Sequence, residues 1–566
     1  LLFILRRDYH LLFIFFLLIL PQTVFPAGSK RVDRRAGVHI HDINIDVKDV
    51  FDPSVPQESA WPYRFVNKLH IHTRASVIRR ELLAKPGDMT TELSLEESER
   101  NLRALNFIKS AEVEHEPAPG FPGQVDLNVT VQDAWTTQPQ ANFGSEGGQS
   151  SFSAGFVEEN FLGFGKKVSY FNSHNNDVTE NEFAYSDPQF FNTRWHLDGD
   201  LKKASTGDTE LLSLVRPFYS INTRYSYGGT LNRSEQLTKL FQNATEISRY
   251  TDHHRDYQSF FGVRLNQDPL VAYRATLRYR RTEDKYFTDA LTSAGTLPPN
   301  RIFAGPLVQW SRDPSDFIKD TFVDKAGRVE DVNLGHQFVI GSGYSARSMG
   351  ATDNTVPVLG QHAFGFGEQI NGFCLVSYGF LGRYVVSDSP GTGHKLDNTI
   401  YFATFNGYRH GLTAWPLTHV LHAEGAWLQH PDTQNVLQLG GDTGLRGFKI
   451  QSYTGNKSML MNYESRLFYP DEILRLFYLG GAIFAESGQV QPLGNPFRTQ
   501  DFHSDIGVGL RIGLTRSSAG SLIRLDIAYA IGQLPAQGNR IIISVSSSPS
   551  FKRTANSYAG TELPAL

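Results

Sequence analysis

The sequence predicts a mainly β protein: a 16-stranded transmembrane antiparallel β-barrel preceded by one small α+β domain. Three observations predict it. Apolar and polar residues alternate with period two through most of the chain after residue 136. No apolar run after residue 30 reaches the roughly 18 residues that a membrane helix needs. The first 28 residues have the build of an export signal.

In that signal, Arg6 and Arg7 supply the positive region and "LLFIFFLLIL" at 11–20 the apolar core. Pro21 ends the core, and small residues follow at Ala27 to Ser29. Such a run is too short to cross a bilayer as a helix. No cysteine follows it, which excludes a lipoprotein anchor. Residues 1–28 are assigned to the signal peptide. Residues 29–62, polar and broken by Pro53, Pro56 and Pro62, are assigned to a linker.

Residues 63–135 read as the small domain, in the order β-α-α-β-β. "YRFVNKLHIHT" predicts a strand. "ASVIRRELLAK" carries Val77, Ile78, Leu82 and Leu83 at helical spacing, and Pro86-Gly87 stops it. "TELSLEESERNLRALNFI" places Leu95, Leu102 and Leu105 on one face, with glutamates ahead of arginines as the helix dipole favours. "SAEVEHE" and "QVDLNVTVQD" predict two strands joined by "PAPGFPG".

The barrel is assigned to residues 136–551, followed by a tail at 552–566. In "AYRATLRYRR" the residues Tyr273, Ala275, Leu277 and Tyr279 alternate with Arg274, Thr276, Arg278 and Arg280. "IGVGLRIGL" and "LIRLDIAY" repeat the pattern with Arg511, Arg524 and Asp526 on the polar face. Strands of about ten residues with aromatic ends match the outer-membrane signature. Inserts at 232–256, 283–300, 312–334 and 345–360 are expected to be extracellular loops.

Composition narrows the function. One cysteine, Cys374, excludes an internal disulfide and a cysteine-based zinc cluster. It sits in the apolar "NGFCLVSYGF" and reads as an inert strand residue. A net charge of −4 gives no sign of a nucleic-acid partner. No G-x-S-x-G, H-E-x-x-H or P-loop is present. "HIHDINID" at 39–46 and "DHHRD" at 252–256 read as solvated linker and loop rather than metal ligands. No enzyme activity, metal or cofactor is expected.

The glycine-rich "LGGDTGLRGFKIQSYTGN" at 439–456 has no βαβ unit around it, so it is not a dinucleotide loop. Its glycines permit it to fold into the lumen. An arginine at its tip, Arg446, would then need a carboxylate, in a bidentate bond. Glu486 is the first candidate and Asp526 the second.

These stretches resemble a known family. "LRGF" at 445–448, after Gly440-Gly441, is similar to the [VIL]-R-G-[FY] signature of the BamA-type outer-membrane assembly-factor superfamily, also called the bacterial surface antigen family. "FAESG" at 484–488 resembles its F-x-D-x-G signature, with Glu486 where the family has aspartate. "YSDPQFFNTRW", "LVRPFYSINTRYSYGG" and "GVGLRIGL…SLIRLDIAYAIG" resemble its strands. The small domain resembles a polypeptide-transport-associated (POTRA) domain.

The resemblance implies a latch of Arg446, Gly447 and Phe448 on Glu486. It also implies a weak seam between first and last strands, here marked by Pro139, Gly144 and Pro549. Phe551 stands where such chains carry a terminal insertion signal. The implied function is insertion, assembly or translocation of polypeptides at the outer membrane of a Gram-negative bacterium. A periplasmic POTRA would receive clients, with outer-membrane lipid, unfolded polypeptides and periplasmic accessory proteins as partners. The alternatives are a two-partner-type secretion pore for a dedicated passenger and a structural surface barrel without translocase activity.

Overall fold

The computed structural model describes residues 37–546, apart from 147–148, 176–177, 243–244, 294, 370, 387–395, 412, 433–434, 519–521 and 533–539. The signal peptide, Pro549, Phe551 and the tail at 552–566 lie outside the described residues.

The small domain begins earlier than its sequence suggests. Its elements are β1 (Gly37–Lys48), α1 (Trp61–Leu69), α2 (Ala75–Glu81), β2 (Met89–Thr91), α3 (Glu92–Ala104), β3 (Ile108–Pro117) and β4 (Gln124–Asp133). The sheet order is β2-β1-β4-β3, with β1 parallel to β4. Ile40, Ile43, Val77, Ile78, Leu95, Leu102, Leu127 and Val129 form its core.

Two expectations change. The segment assigned to a linker contains β1, whose alternation is interrupted by a register shift between Ile40 and Asp42. The expected strand at "YRFVNKL" is α1: Pro62 sits in its first turn, where proline starts a helix rather than breaks one.

Among the described residues, twenty antiparallel strands close the barrel, not sixteen. Tight connections hide several boundaries. Trp195–Ala204 and Gly207–Arg216, for example, are separated by two residues. The expected loop at 232–256 is mostly strand, in a hairpin of Tyr225–Gln242 and Thr245–Arg264. Outward positions such as Ile506, Val508 and Leu510 are exposed and apolar along the barrel's outer face.

The insert at 312–334 lies at the opposite end from the loop at 289–300, because a single strand, Arg301–Pro314, separates them. It therefore sits at the end that carries the small domain. Its hairpin, Phe317–Asp320 with Glu330–Asn333, turns into the barrel mouth. Val323 and Val332 pack on Phe373, Tyr408 and Val420, and Ala326 packs on Phe468 and Leu522. Glu330 Oε1 accepts the backbone N–H groups of Val323, Asp324 and Lys325, which shapes the tip.

Candidate functional site

The segment between the strands Leu417–Gln429 and Lys457–Phe468 folds into the lumen. Its arms, Leu437–Leu439 and Tyr453–Gly455, pair as a short ladder. Leu439, Leu445 and Phe448 pack with Leu460 and Ala530 of the barrel wall. Leu445 is buried and holds φ at +63°, a left-handed conformation that costs a non-glycine residue about 1–2 kcal/mol. That strain sits immediately before Arg446 and turns its guanidinium toward the wall.

Arg446 is buried there among carboxylates. Its Nε donates to Glu486 Oε1 at 2.9 Å, and its backbone N–H donates to Glu486 Oε2 at 2.6 Å. Its Nη1 donates to Glu464 Oε2 and to Asp526 Oδ2, both at 2.9 Å. The guanidinium lies 3.5 Å from the centre of the Phe484 ring. Burial works against its charge, and Glu486, Glu464 and Asp526 outweigh burial, so its pKa rises above the ordinary arginine value.

The expected contact with Glu486 is present, but not as a bidentate guanidinium pair. The longer glutamate spans the side chain and the backbone of the same residue, while Asp526 takes Nη1. Gly447 N–H donates to Asp505 Oδ2 at 2.9 Å. A Cβ at Gly447 would lie 2.7 Å from Asp505 Cβ, so the tip needs glycine to come this close. Phe448 wedges beside Tyr453 and His503.

Four partners were missed in the sequence. Glu464 also accepts from Arg466 Nε at 2.7 Å and pairs with Arg511 Nη2 at 3.1 Å. Arg511 Nη1 reaches Asp526 Oδ1 at 2.5 Å. Asp505 completes the set. A signal for them exists: Glu464 and Arg466 in "NYESRLF" share one strand face, as do Asp505 and Arg511 in "SDIGVGLR". Arg466 Nη1 also donates to Val323 O at 2.7 Å. The inward loop and the hairpin from the other end thus meet at Glu464 and Arg466.

Among the described residues, Ile541–Ser546 matches its predecessor strand from Arg524↔Ser546 to Tyr529↔Ile541, yet matches the first strand, Thr137–Glu146, at Val545↔Ser145 alone. Pro139 and Gly144 lie in that first strand, in register with Gln149–Glu158. Near the small domain the first strand's lead-in is tied elsewhere: Trp135 N–H donates to Arg516 O at 2.7 Å, and Ser518 N–H to Trp135 O at 3.0 Å.

Outside the lumen, His70, His72 and Asp133 bring ligand atoms within 4.8 Å of one another, a set that could hold a metal. Asp133 is already occupied by His70 Nε2, Thr73 N–H and Thr73 Oγ1, bonds that pin β4 to the segment after α1. The histidines of "HIHDINID" and "DHHRD" lie on strands. His41 meets Asp126 at 2.7 Å, and His254 meets Asp284 at 2.5 Å. Cys374 is a half-buried strand residue.

No protein-family model matches the chain. The outer membrane protein assembly factor BamA of Neisseria meningitidis serogroup B is 26% identical over 131 residues. That match covers 22% of this chain and 16% of the relative, so it spans about a sixth of the relative's length. Among solved structures, BamA from Haemophilus ducreyi lacking POTRA domains 1-3 has a TM-score of 0.37 and 14% identity, covering 90% of this chain and 83% of that one. CdiB from Escherichia coli has a TM-score of 0.45 and 11% identity, covering 90% and 75%. In its matched segment the chain is similar to an outer-membrane protein assembly factor of the BamA type.

Proposed function

We propose that this protein helps polypeptides insert into, or cross, the outer membrane through the seam between its first and last strands. The small domain is read as a single periplasmic POTRA domain that receives extended clients along a strand edge. The chemistry is non-covalent throughout. A seam strand whose backbone N–H and C=O groups come free is a template for an incoming strand, and the one registered pair that the described residues show across the seam, Val545↔Ser145, carries this reading.

The lumen supports it from another side. The loop at 437–455 and the hairpin at 317–333 fill one wall of the barrel and are joined through Arg446, Glu464 and Arg466. A client that used the lumen would have to displace both. A client that used the seam would leave them in place, as a latch that holds Leu522–Ile531, the neighbour of the last strand, while the seam opens.

The test is to lock the seam. Val545→Cys with Ser145→Cys, in a Cys374→Ala background, permits a disulfide across the registered pair. Reconstituted in liposomes, the oxidised protein is expected to lose its acceleration of client-barrel insertion and to regain it on reduction. If the oxidised protein still accelerates insertion, the seam is not the route. If it moves a passenger through the lumen, the secretion-pore reading replaces this one.

A further inference from the structure

Helix α1 carries its apolar residues on the outside. Trp61, Phe65 and Leu69 recur every four residues and share one face. They are 72%, 54% and 57% exposed. The opposite face is the one that packs. The Tyr63 ring lies 4.7 Å from that of Phe51. The Asn67 side chain donates to Phe51 O at 2.7 Å and accepts from Phe51 N–H at 3.1 Å. These contacts fix the rotation of the helix, so the apolar stripe is held outward.

The stripe does not stand alone. Tyr63 Oη donates to Leu474 O at 2.9 Å, which ties α1 to the turn between the strands Lys457–Phe468 and Phe477–Gln491. That turn exposes Leu474 to 65%. Beside it Tyr469 meets Trp415 edge-on at 5.6 Å. Both are exposed, and they continue the outward column of Tyr463 and Leu467 on the barrel wall. The hydrogen bond sets α1 beside the turn that borders the barrel's outward apolar surface. Arg64 and Lys68, both exposed, flank it on the side next to Trp61.

We infer that α1 is an interfacial membrane anchor. Trp61, Phe65 and Leu69 bed into the boundary between headgroups and acyl chains of the leaflet on the small-domain side. Arg64 and Lys68 meet anionic headgroups. An apolar stripe, an aromatic residue at interface level and flanking basic residues are what that boundary selects. The helix holds the small domain against the bilayer beside the turn at 469–476. This goes beyond the seam reading and rests on the barrel spanning the membrane.

Lipid-borne quenching tests it on the full chain in liposomes of zwitterionic and anionic phospholipid. In the Cys374→Ala background, an environment-sensitive fluorophore is placed at Phe65→Cys, at Tyr463→Cys on the barrel's outer face, or at the exposed Glu112→Cys of β3. The expected result is a blue-shifted label at 65, quenched several-fold more than the label at 112 by lipids spin-labelled near the headgroup. That quenching should fall in Trp61→Ser/Leu69→Ser. Quenching at 463 with none at 65 overturns the anchor alone. A blue shift at 65 without lipid quenching means that a protein surface covers the stripe, and also overturns it. No quenching at 463 overturns the membrane-spanning reading and the anchor with it.

Discussion

Two walls of one barrel share a sequence pattern and differ in what fills the space behind it. On the strands Trp195–Ala204 and Gly207–Arg216 no position is fully buried. Their inward charges pair across half-exposed surface: Lys202 meets Glu182 at 3.2 Å and Asp200 at 4.0 Å. On Lys457–Phe468 and Leu522–Ile531 buried and exposed positions alternate almost without exception. There the inward charges Glu464, Arg466, Arg524 and Asp526 are all buried. The loop at 437–455 and the hairpin at 317–333 lie against the second wall. The period of two decides which residues face inward; the two inserted segments decide whether those residues keep their water.

The contrast predicts unequal costs. A half-exposed pair contributes about 0–1 kcal/mol, whereas removing one partner of a buried pair costs about 3–5 kcal/mol. Arg446→Ala should therefore show the largest effect, since it removes the one guanidinium that Glu486, Glu464 and Asp526 share. Its folded band on semi-native gels should be lost at a clearly lower temperature than in the wild type. Lys202→Ala should shift that temperature little. Equal shifts in the two variants would mean that the lumenal cluster is as hydrated as the other wall.

A middle-sized effect is expected where the small domain holds the hairpin. Arg103 Nη2 and Nε reach Asp331 Oδ1 and Oδ2 at 2.7 and 2.9 Å, in a bidentate pair. Lys319 pairs with Glu99 at 2.6 Å beside it. Charge-assisted bonds of this kind contribute roughly 1.5–3 kcal/mol. Arg103→Ala should free the hairpin without unfolding the barrel. Planar-bilayer recordings should then show more frequent openings than the wild type; unchanged conductance would show that the hairpin closes nothing.

Much of this was legible in the sequence, and the failures have physical causes. Alternation exposed the barrel, because lipid selects one face at every second residue. The strand number was harder to read, because tight turns such as that at 205–206 carry no loop composition. Arg446 and Glu486 stood out as an arginine in a glycine-rich loop and an acid on a later strand. Glu464, Asp505 and Arg511 looked like ordinary lumen polarity, since their burial depends on segments distant in sequence. β1 was hidden by its register shift. α1 was hidden because its apolar stripe faces out of the domain, so its periodicity did not mark a core.

The smallest effect concerns a charge on the small domain, and it tests the same contrast outside the lumen. Lys109 on β3 is half-buried, and its Nζ donates to the Gln132 side-chain oxygen at 3.2 Å rather than to a carboxylate. Burial, with the nearby Arg516 charge adding to it, pushes its pKa down to about 8 from 10.5. Between these values the unfolded chain binds more protons than the folded domain, so stability rises with pH from about 8 to 10.5. Below pH 8 the cost of the buried ammonium is fully present. Lys109→Met should accordingly be more stable than the wild type at pH 7, by on the order of 1 kcal/mol. That gap should close as the pH approaches 10.5, where the wild-type lysine is neutral in the fold. Urea denaturation of the full chain, followed through the small-domain transition at both pH values, measures it. A gap of the same size at both would show that the methionine acts by packing alone and that Lys109 keeps its hydration, as the charges of the exposed wall do.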